Sequence, residues 1–121
     1  MSLSDYLENK LIAHTFGGSA FTQPSSWYVK LHTGDPGETG TSNAATETTR
    51  KSATFTVSTS TASLASTLSW TNVAAGETYS YVSIWDASTA GNCLGSGALT
   101  AAKTVAAGDS FDLTALTITI D

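Results

Sequence analysis

The sequence contains one cysteine, two prolines and few charged residues. Because Cys93 has no second cysteine, no disulfide can form within the chain, and no oxidising compartment is indicated. A reactive thiolate needs a nearby cation or base, so we interpret Cys93 as a small buried side chain. The N-terminus lacks the basic segment and the long apolar run of a signal peptide or a membrane span. We therefore expect synthesis in a cytosol and no membrane partner.

Basic residues are scarce and scattered. The five are outnumbered by ten acidic residues, which gives a formal net charge of −5. Binding to nucleic acid needs a cationic surface that displaces counterions from phosphates. The chain offers no such stripe, and we predict no nucleic-acid partner. The basic residues are Lys10, Lys30, Arg50, Lys51 and Lys103.

The sequence also lacks a recognisable catalytic or metal-binding set. A hydrolase needs a nucleophile, a base and an orienting group. His32 and Asp35 could form such a pair, but a hydrogen-bonded surface histidine beside a turn is the simpler interpretation of His32. His14 and His32 do not have zinc-ligand spacing to Cys93, and the acidic residues do not alternate as in calcium loops. We predict a protein without enzymatic activity, cofactor or metal, with a small hydrolase as an alternative.

Hydroxyl side chains dominate what is present. Serine and threonine fill 38 of the 121 positions, which predicts a neutral surface and favours strands, because threonine is β-branched. A chain of this length forms one domain. We predict an N-terminal helix over residues 1–18 and a single β-sandwich over residues 19–121.

The stretch from Trp27 to Gly37 predicts a strand that runs into a turn. Side chains alternate along an extended chain, which places Trp27, Val29 and Leu31 on one buried face. Pro36 cannot donate to a sheet, and the adjacent glycines accept positive φ angles. Residues 33–49 then predict a long loop, and because long loops are often functional, it is our first candidate interaction surface.

Residues 2–18 predict one helix. Ser2 or Ser4 can cap its start, and Gly17 and Gly18 can end it in the left-handed conformation. Its leucines recur every four residues and form an apolar stripe. A lone helix of this length must pack on another element, either an open end of its own sandwich or a neighbouring subunit.

The rest of the chain predicts further antiparallel strands. Residues 53–57 and 64–70 predict a hairpin with Val57 facing inward, and residues 79–86 predict a central strand that is apolar on both faces. A short strand follows around residues 93–99, and residues 111–120 change parity near 114–115, which requires a break or bulge. About seven strands with regular turns predict a mainly β fold, an antiparallel, jelly-roll-like β-sandwich with one N-terminal α-helix.

Aromatic residues suggest a second function. An exposed platform among Tyr28, Tyr79, Tyr81 and Trp85 could stack on sugars, which would make the protein a host-surface glycan-binding module. The position of most of the aromatic residues within strands favours core packing instead.

Three stretches carry a resemblance to a known family. They are residues 1–11 (MSLSDYLENKL), residues 27–37 (WYVKLHTGDPG), and residues 82–87 (VSIWDA) with Gly97–Thr100. Over nearly its whole length the chain resembles small bacteriophage virion proteins labelled tail fibre or minor tail proteins. The resemblance implies a non-enzymatic structural protein of the virion, tail-associated or capsid-decorating, that is made in the host cytoplasm. Its partners would be other virion proteins, and phage attachments favour a homo-oligomer, with a trimer expected.

The expected assembly interface combines the helix with the loop. The apolar side of the helix and the acidic part of the loop are the surfaces that a neighbouring protein could contact. The predicted interface residues are Leu3, Tyr6, Leu7, Leu11, Asp35 and Glu38.

Overall fold

The computed structural model describes residues 1–120 and contains, within that range, one helix and ten strands. The helix α1 spans Asp5–Phe16. The strands are β1 Ser2–Leu3, β2 Trp27–His32, β3 Lys51–Ala53, β4 Phe55–Ser58, β5 Thr61–Leu64, β6 Leu68–Trp70, β7 Glu77–Trp85, β8 Cys93–Val105, β9 Phe111–Leu113 and β10 Thr117–Thr119. The strands outnumber the seven expected because several are short and are separated by single-residue or few-residue breaks.

One layer of the fold is a five-stranded antiparallel sheet with the order β1-β8-β7-β2-β3. β7 lies in its centre and pairs with β2 on one side and β8 on the other, which confirms the central strand that its two apolar faces predicted. The predicted inward alternation of β2 is also confirmed, because Val29 and Leu31 are completely buried.

The second layer consists of two smaller sheets, with the orders β10-β5-β4 and β6-β9. Their inward side chains pack against the inner face of the large sheet and form one core. The predicted mainly β, antiparallel sandwich with one helix is confirmed. Core members from both layers include Val29, Leu31, Val82 and Ile84 from the large sheet and Leu68, Trp70, Phe111 and Leu113 from the smaller ones.

The hairpin prediction is correct in part. β4 and β5 pair across a two-residue turn, with Phe55 opposite Leu64. However, Leu68 and Trp70 belong to β6, which pairs with β9 in a different sheet. The inward placement of Val57 is wrong, since 73% of this residue is exposed. β4 is the free edge of its small sheet, and only its first residue, Phe55, packs against the core.

The N-terminal helix begins later than predicted. Ser2 and Leu3 form β1, which pairs antiparallel with β8 at Ser96 and Gly95. Ser4 is the helix cap, and its side-chain oxygen accepts a hydrogen bond from the backbone N–H of Leu7 at 3.2 Å. The helix ends at Gly17, as predicted, in the left-handed conformation with φ 97°.

Candidate assembly surfaces

The helix packs on its own domain in this structure. It contacts β8, and Tyr6 and Leu7 rest against the edge of the core. None of its twelve residues is fully buried, and Tyr6, Leu7 and Leu11 are half-buried. Leu3, predicted on the same helical stripe, lies in β1 instead. The helix is thus a partly covered surface element rather than a part of the core.

The loop between β2 and β3 is closely hydrogen-bonded to itself and to β2. The backbone N–H of Ser42 donates to the carbonyl of Pro36 at 3.0 Å, and that of Ala45 donates to the carbonyl of Leu31 at 3.2 Å. The Asp35 carboxylate accepts the backbone N–H of Gly37 at 2.9 Å. Asp35 and Glu38 are exposed on the outside of this folded loop. The predicted long loop is therefore present, and it is folded closely against β2.

The structure brings the helix and the loop together. Glu38 lies close to Asp5 in the first turn of α1. Desolvation, followed by the negative charges of Asp5, Glu8 and Asp35, raises the pKa of Glu38 above its ordinary range. The predicted loop residues therefore lie beside the start of the helix, where Asp35 and Glu38 adjoin the acidic side chains of Asp5 and Glu8.

The inner side of the loop covers the outer face of the large sheet. His32 is completely buried there, so its expected surface position is wrong. Its Nδ1 donates to the carbonyl of Ser42 at 2.9 Å, and Ser83 Oγ lies 2.7 Å from Nε2 while accepting the indole N–H of Trp85. Since the Ser42 carbonyl can only accept, Nδ1 carries the proton and the Ser83 hydroxyl donates to Nε2.

This network bears on the hydrolase alternative. His32 contacts Ser83 and not Asp35, and both His32 and Ser83 are completely buried. Burial lowers the pKa of His32, so the ring is held neutral. A histidine beside a serine could in principle activate it, but the loop leaves this hydroxyl no contact with solvent.

The four aromatic residues considered for glycan binding do not form one exposed platform. Tyr79 is completely buried, because a bulge between Tyr79 and Tyr81 turns its ring into the core against Phe111. Trp85 is buried beneath Arg50, whose guanidinium lies 4.0 Å from the ring centre. Tyr28 and Tyr81 alone are half-exposed. The positions of these residues within strands favoured core packing, and this interpretation is correct for Tyr79 and Trp85.

An apolar groove that the sequence did not reveal lies between the N-terminal segment and the smaller sheet. Leu3 and Leu7 form one wall, and β4, β5 and β10 supply the other; the groove has a volume of about 330 Å³. Residues of its second wall are strongly exposed, with Val57 at 73% and Ile120 at 53%. The groove forms only where these segments meet in the fold. No local sequence pattern could therefore have predicted it.

Two further apolar side chains are exposed on α1. Ile12 is 58% and Phe16 is 78% exposed, four positions apart along the helix. This spacing places them on one side of the helix. Their four-residue spacing is a signal in the sequence itself, and the leucine repeat lies on the other, packed side of the helix.

Metal sites and membrane spans were the remaining kinds of site that the described residues could form. Among residues 1–120, no three or more histidine, cysteine, aspartate or glutamate side chains are grouped so that they could hold a metal ion. The helix that the structure describes is also too short and too polar to cross a membrane.

Antiparallel sheets, one half-covered helix and exposed apolar surfaces define a small β-sandwich module. The comparison with family models gives a match over residues 2–121 to the podophage GP4 fiber I protein gp80. The chain belongs to this family of phage fibre proteins, and as a fibre protein it is a structural protein of the virion. The match confirms the fibre part of the resemblance and does not extend to minor tail proteins. The search of curated proteins found no match.

Proposed function

We propose that this fibre protein acts through protein–protein assembly alone, as a homo-oligomer that contacts other virion proteins in the tail apparatus. The observation that carries the proposal is the exposed apolar pair Ile12 and Phe16 on α1. Apolar patches surrounded by polar residues on a small soluble domain are typical of protein–protein contacts. The family match favours a fibre position over capsid decoration.

The predicted interface residues take different roles in this proposal. Leu3 and Leu7 line the apolar groove and offer it to a neighbour, while Tyr6 packs against the core and Leu11 lies half-buried on the helix. Asp35 and Glu38 present negative charge next to the helix, which would select a neighbour without acidic groups at that point. A trimer, made in the host cytoplasm and then mounted on the particle, is the expected assembly.

Several features support a non-enzymatic role. The side-chain contact between His32 and Ser83 is buried under the loop. Burial also raises the pKa of the Cys93 thiol, which disfavours the reactive thiolate. An assembly protein needs none of these groups to react.

The mass of the protein in solution tests the proposal. We expect light scattering to give a trimer for the wild type and a monomer for the double variant Ile12→Ser/Phe16→Ser, because the variant loses the apolar contact. Asn9→Ser, on an exposed position of the same helix, is the matched control and should stay trimeric. A wild type that is monomeric at every concentration and absent from purified particles by mass spectrometry would contradict the proposal.

A further inference from the structure

Four large apolar side chains are strongly exposed among residues 1–120, and they lie on two separate surfaces. Ile12 and Phe16, which we call the apolar pair, project from α1. Val57 and Ile120 belong to the wall of the apolar groove. Grouped apolar side chains on a small soluble domain are typical of contacts with another protein. The chain therefore carries one projecting and one concave apolar surface.

The apolar pair cannot fill the groove of its own chain. Leu7 lines that groove, and Phe16 follows nine positions later on α1. Nine residues make about two and a half helical turns, so Phe16 lies on the opposite side of the helix and about 13 Å further along its axis. Ile12 lies about 140° around the helix from Leu7. The pair can therefore reach only the groove of another molecule.

The two surfaces match in charge and in size. Among the described residues that line the apolar groove, none is ionisable. The end of α1 that bears the pair is similar, because His14 is the one ionisable residue between positions 11 and 18. The groove volume of about 330 Å³ is small, near the lower limit of the roughly 300–1,000 Å³ of small-molecule pockets. The groove therefore has room for a few side chains and not for a whole helix.

The exposed surfaces favour a second copy of the chain as the occupant of the groove. If the pair of each copy enters the groove of the next, one kind of contact covers all four exposed side chains. A different protein in the groove would leave Ile12 and Phe16 exposed to water. A contact between two different surfaces forms a ring when the rotation between neighbours closes. A ring of three is the trimer of the proposed function.

Charge opposes the other trimeric arrangement, in which three copies of α1 meet at the axis. On the side of α1 that bears Ile12, the positions one and two turns earlier are Glu8 and Asp5. Helices that meet along this side would bring the carboxylates of all three copies together, and like charges that face each other weaken association. Insertion of the pair into a groove needs only the uncharged end of α1.

We propose that Ile12 and Phe16 of one subunit insert into the apolar groove of a second copy of the chain. The inference rests on the proposed function, since it names the surface that the apolar pair contacts in the homo-oligomer. Val57 and Ile120 become covered when the contact forms. Burial of these apolar side chains, without an unpaired charge on either surface, drives the association.

A charge in the groove tests the contact. Val57→Glu changes an exposed residue of the groove wall, and it should weaken association about tenfold or more, because the carboxylate would be buried against the pair. Light scattering should then give a monomer at concentrations where the wild type is a trimer. Thr56→Glu is the matched control and should stay trimeric, since Thr56 is an exposed neighbour on the other face of β4 and does not line the groove.

The same measurement separates the two proposals. A trimeric Val57→Glu would overturn insertion into the groove and leave assembly as such intact. A monomeric wild type would instead refute the proposed function.

A mixing experiment tests whether the two surfaces bind each other. Ile12→Ser/Phe16→Ser keeps the groove and lacks the pair, whereas Val57→Glu keeps the pair and has a charged groove. Each variant alone should be a monomer. Their equimolar mixture should form a dimer of one chain of each kind, because one pair and one groove remain usable. A mixture that contains only monomers would overturn the proposal.

Cross-linking identifies the occupant in particles. Benzoylphenylalanine at position 16 should, in purified particles, form a cross-link to residues 55–57 or 118–120 of this protein, identified by peptide mass spectrometry. Since position 16 points away from its own groove, such a link joins two copies. A cross-link between two copies of α1 would show helices that meet at the axis, and a cross-link to a different virion protein would show a foreign occupant. Either result would overturn the proposal.

Discussion

At the scale of single residues, two buried polar groups differ in how well they are satisfied. His32 is hydrogen-bonded at both ring nitrogens. The hydroxyl of Tyr79, in contrast, is buried without a hydrogen-bond partner. A buried polar group without a partner costs about 1–3 kcal/mol, whereas a satisfied one adds modestly to stability. The two residues therefore lead to opposite expectations.

Replacing Tyr79 by phenylalanine should stabilise the fold. The variant keeps the ring contact with Phe111 and removes the unpaired hydroxyl, so we expect the free energy of unfolding to rise by about 1 kcal/mol. Urea denaturation measures the change. Tyr28→Phe, at a half-exposed position, should alter stability by less than about 0.5 kcal/mol. A clear loss of stability in Tyr79→Phe would show that the hydroxyl is hydrogen-bonded in solution.

His32 should make the fold sensitive to acid. Burial lowers the pKa of His32 in the folded state, so the unfolded chain binds the proton more readily. The stabilising contribution is then present above about pH 6.5, the ordinary histidine pKa, and is lost as the pH falls below it. Denaturation at several pH values should show this slope in the wild type and in His14→Gln. In His32→Gln the slope should disappear; if it persists there, another group causes it.

At the scale of elements, loops are held by carboxylates that accept backbone N–H groups. Glu77 of β7 accepts the N–H groups of Thr46 and Glu47 at 3.0 and 3.1 Å. Glu47 in turn accepts those of Thr49 and Ala74. These two side chains fasten the segment before β3 to the central strand. The loop, predicted as an interaction surface, is thus also bound to the framework of the sheet.

Removing one acceptor oxygen should loosen this segment. In Glu77→Gln the amide nitrogen faces a backbone N–H and cannot accept it, so we expect a loss of about 1–3 kcal/mol in unfolding free energy. Amide hydrogen exchange should quicken at Thr46 and Glu47 first. Glu8→Gln, an exposed change on α1, should cost about 0.5 kcal/mol or less. Unchanged exchange at both amides would show that the carboxylate does not hold the segment.

At the scale of the whole molecule, the sequence predicted elements with a strong local pattern and failed where distant segments meet. Period-two alternation located β2 and β7, and Gly17 correctly marked the end of α1. Burial of His32 depends on a loop that folds back over the sheet, and exposure of Val57 depends on the edge of a small sheet. Neither the burial of His32 nor the exposure of Val57 produces a periodic pattern in the sequence.

The candidate surfaces also depend on contacts between segments that are distant in the sequence. The residues predicted on the helix and in the loop were found separately, and only the contact between Asp5 and Glu38 shows that they adjoin. The apolar groove joins Leu3 and Leu7 to strands that lie about fifty or more positions further along the chain.

The loop also controls how fast the chain's one thiol can react. The α-carbon of Gly40, with φ 72°, lies so close to Cys93 that an added Cβ would meet its sulfur at 2.5 Å. Gly40 therefore covers the chain's one thiol. A bulky disulfide reagent can reach it only when the loop lifts off the sheet. Because the chain has no other thiol, the rate of that reaction counts loop openings directly, in free protein and in assembled fibres alike.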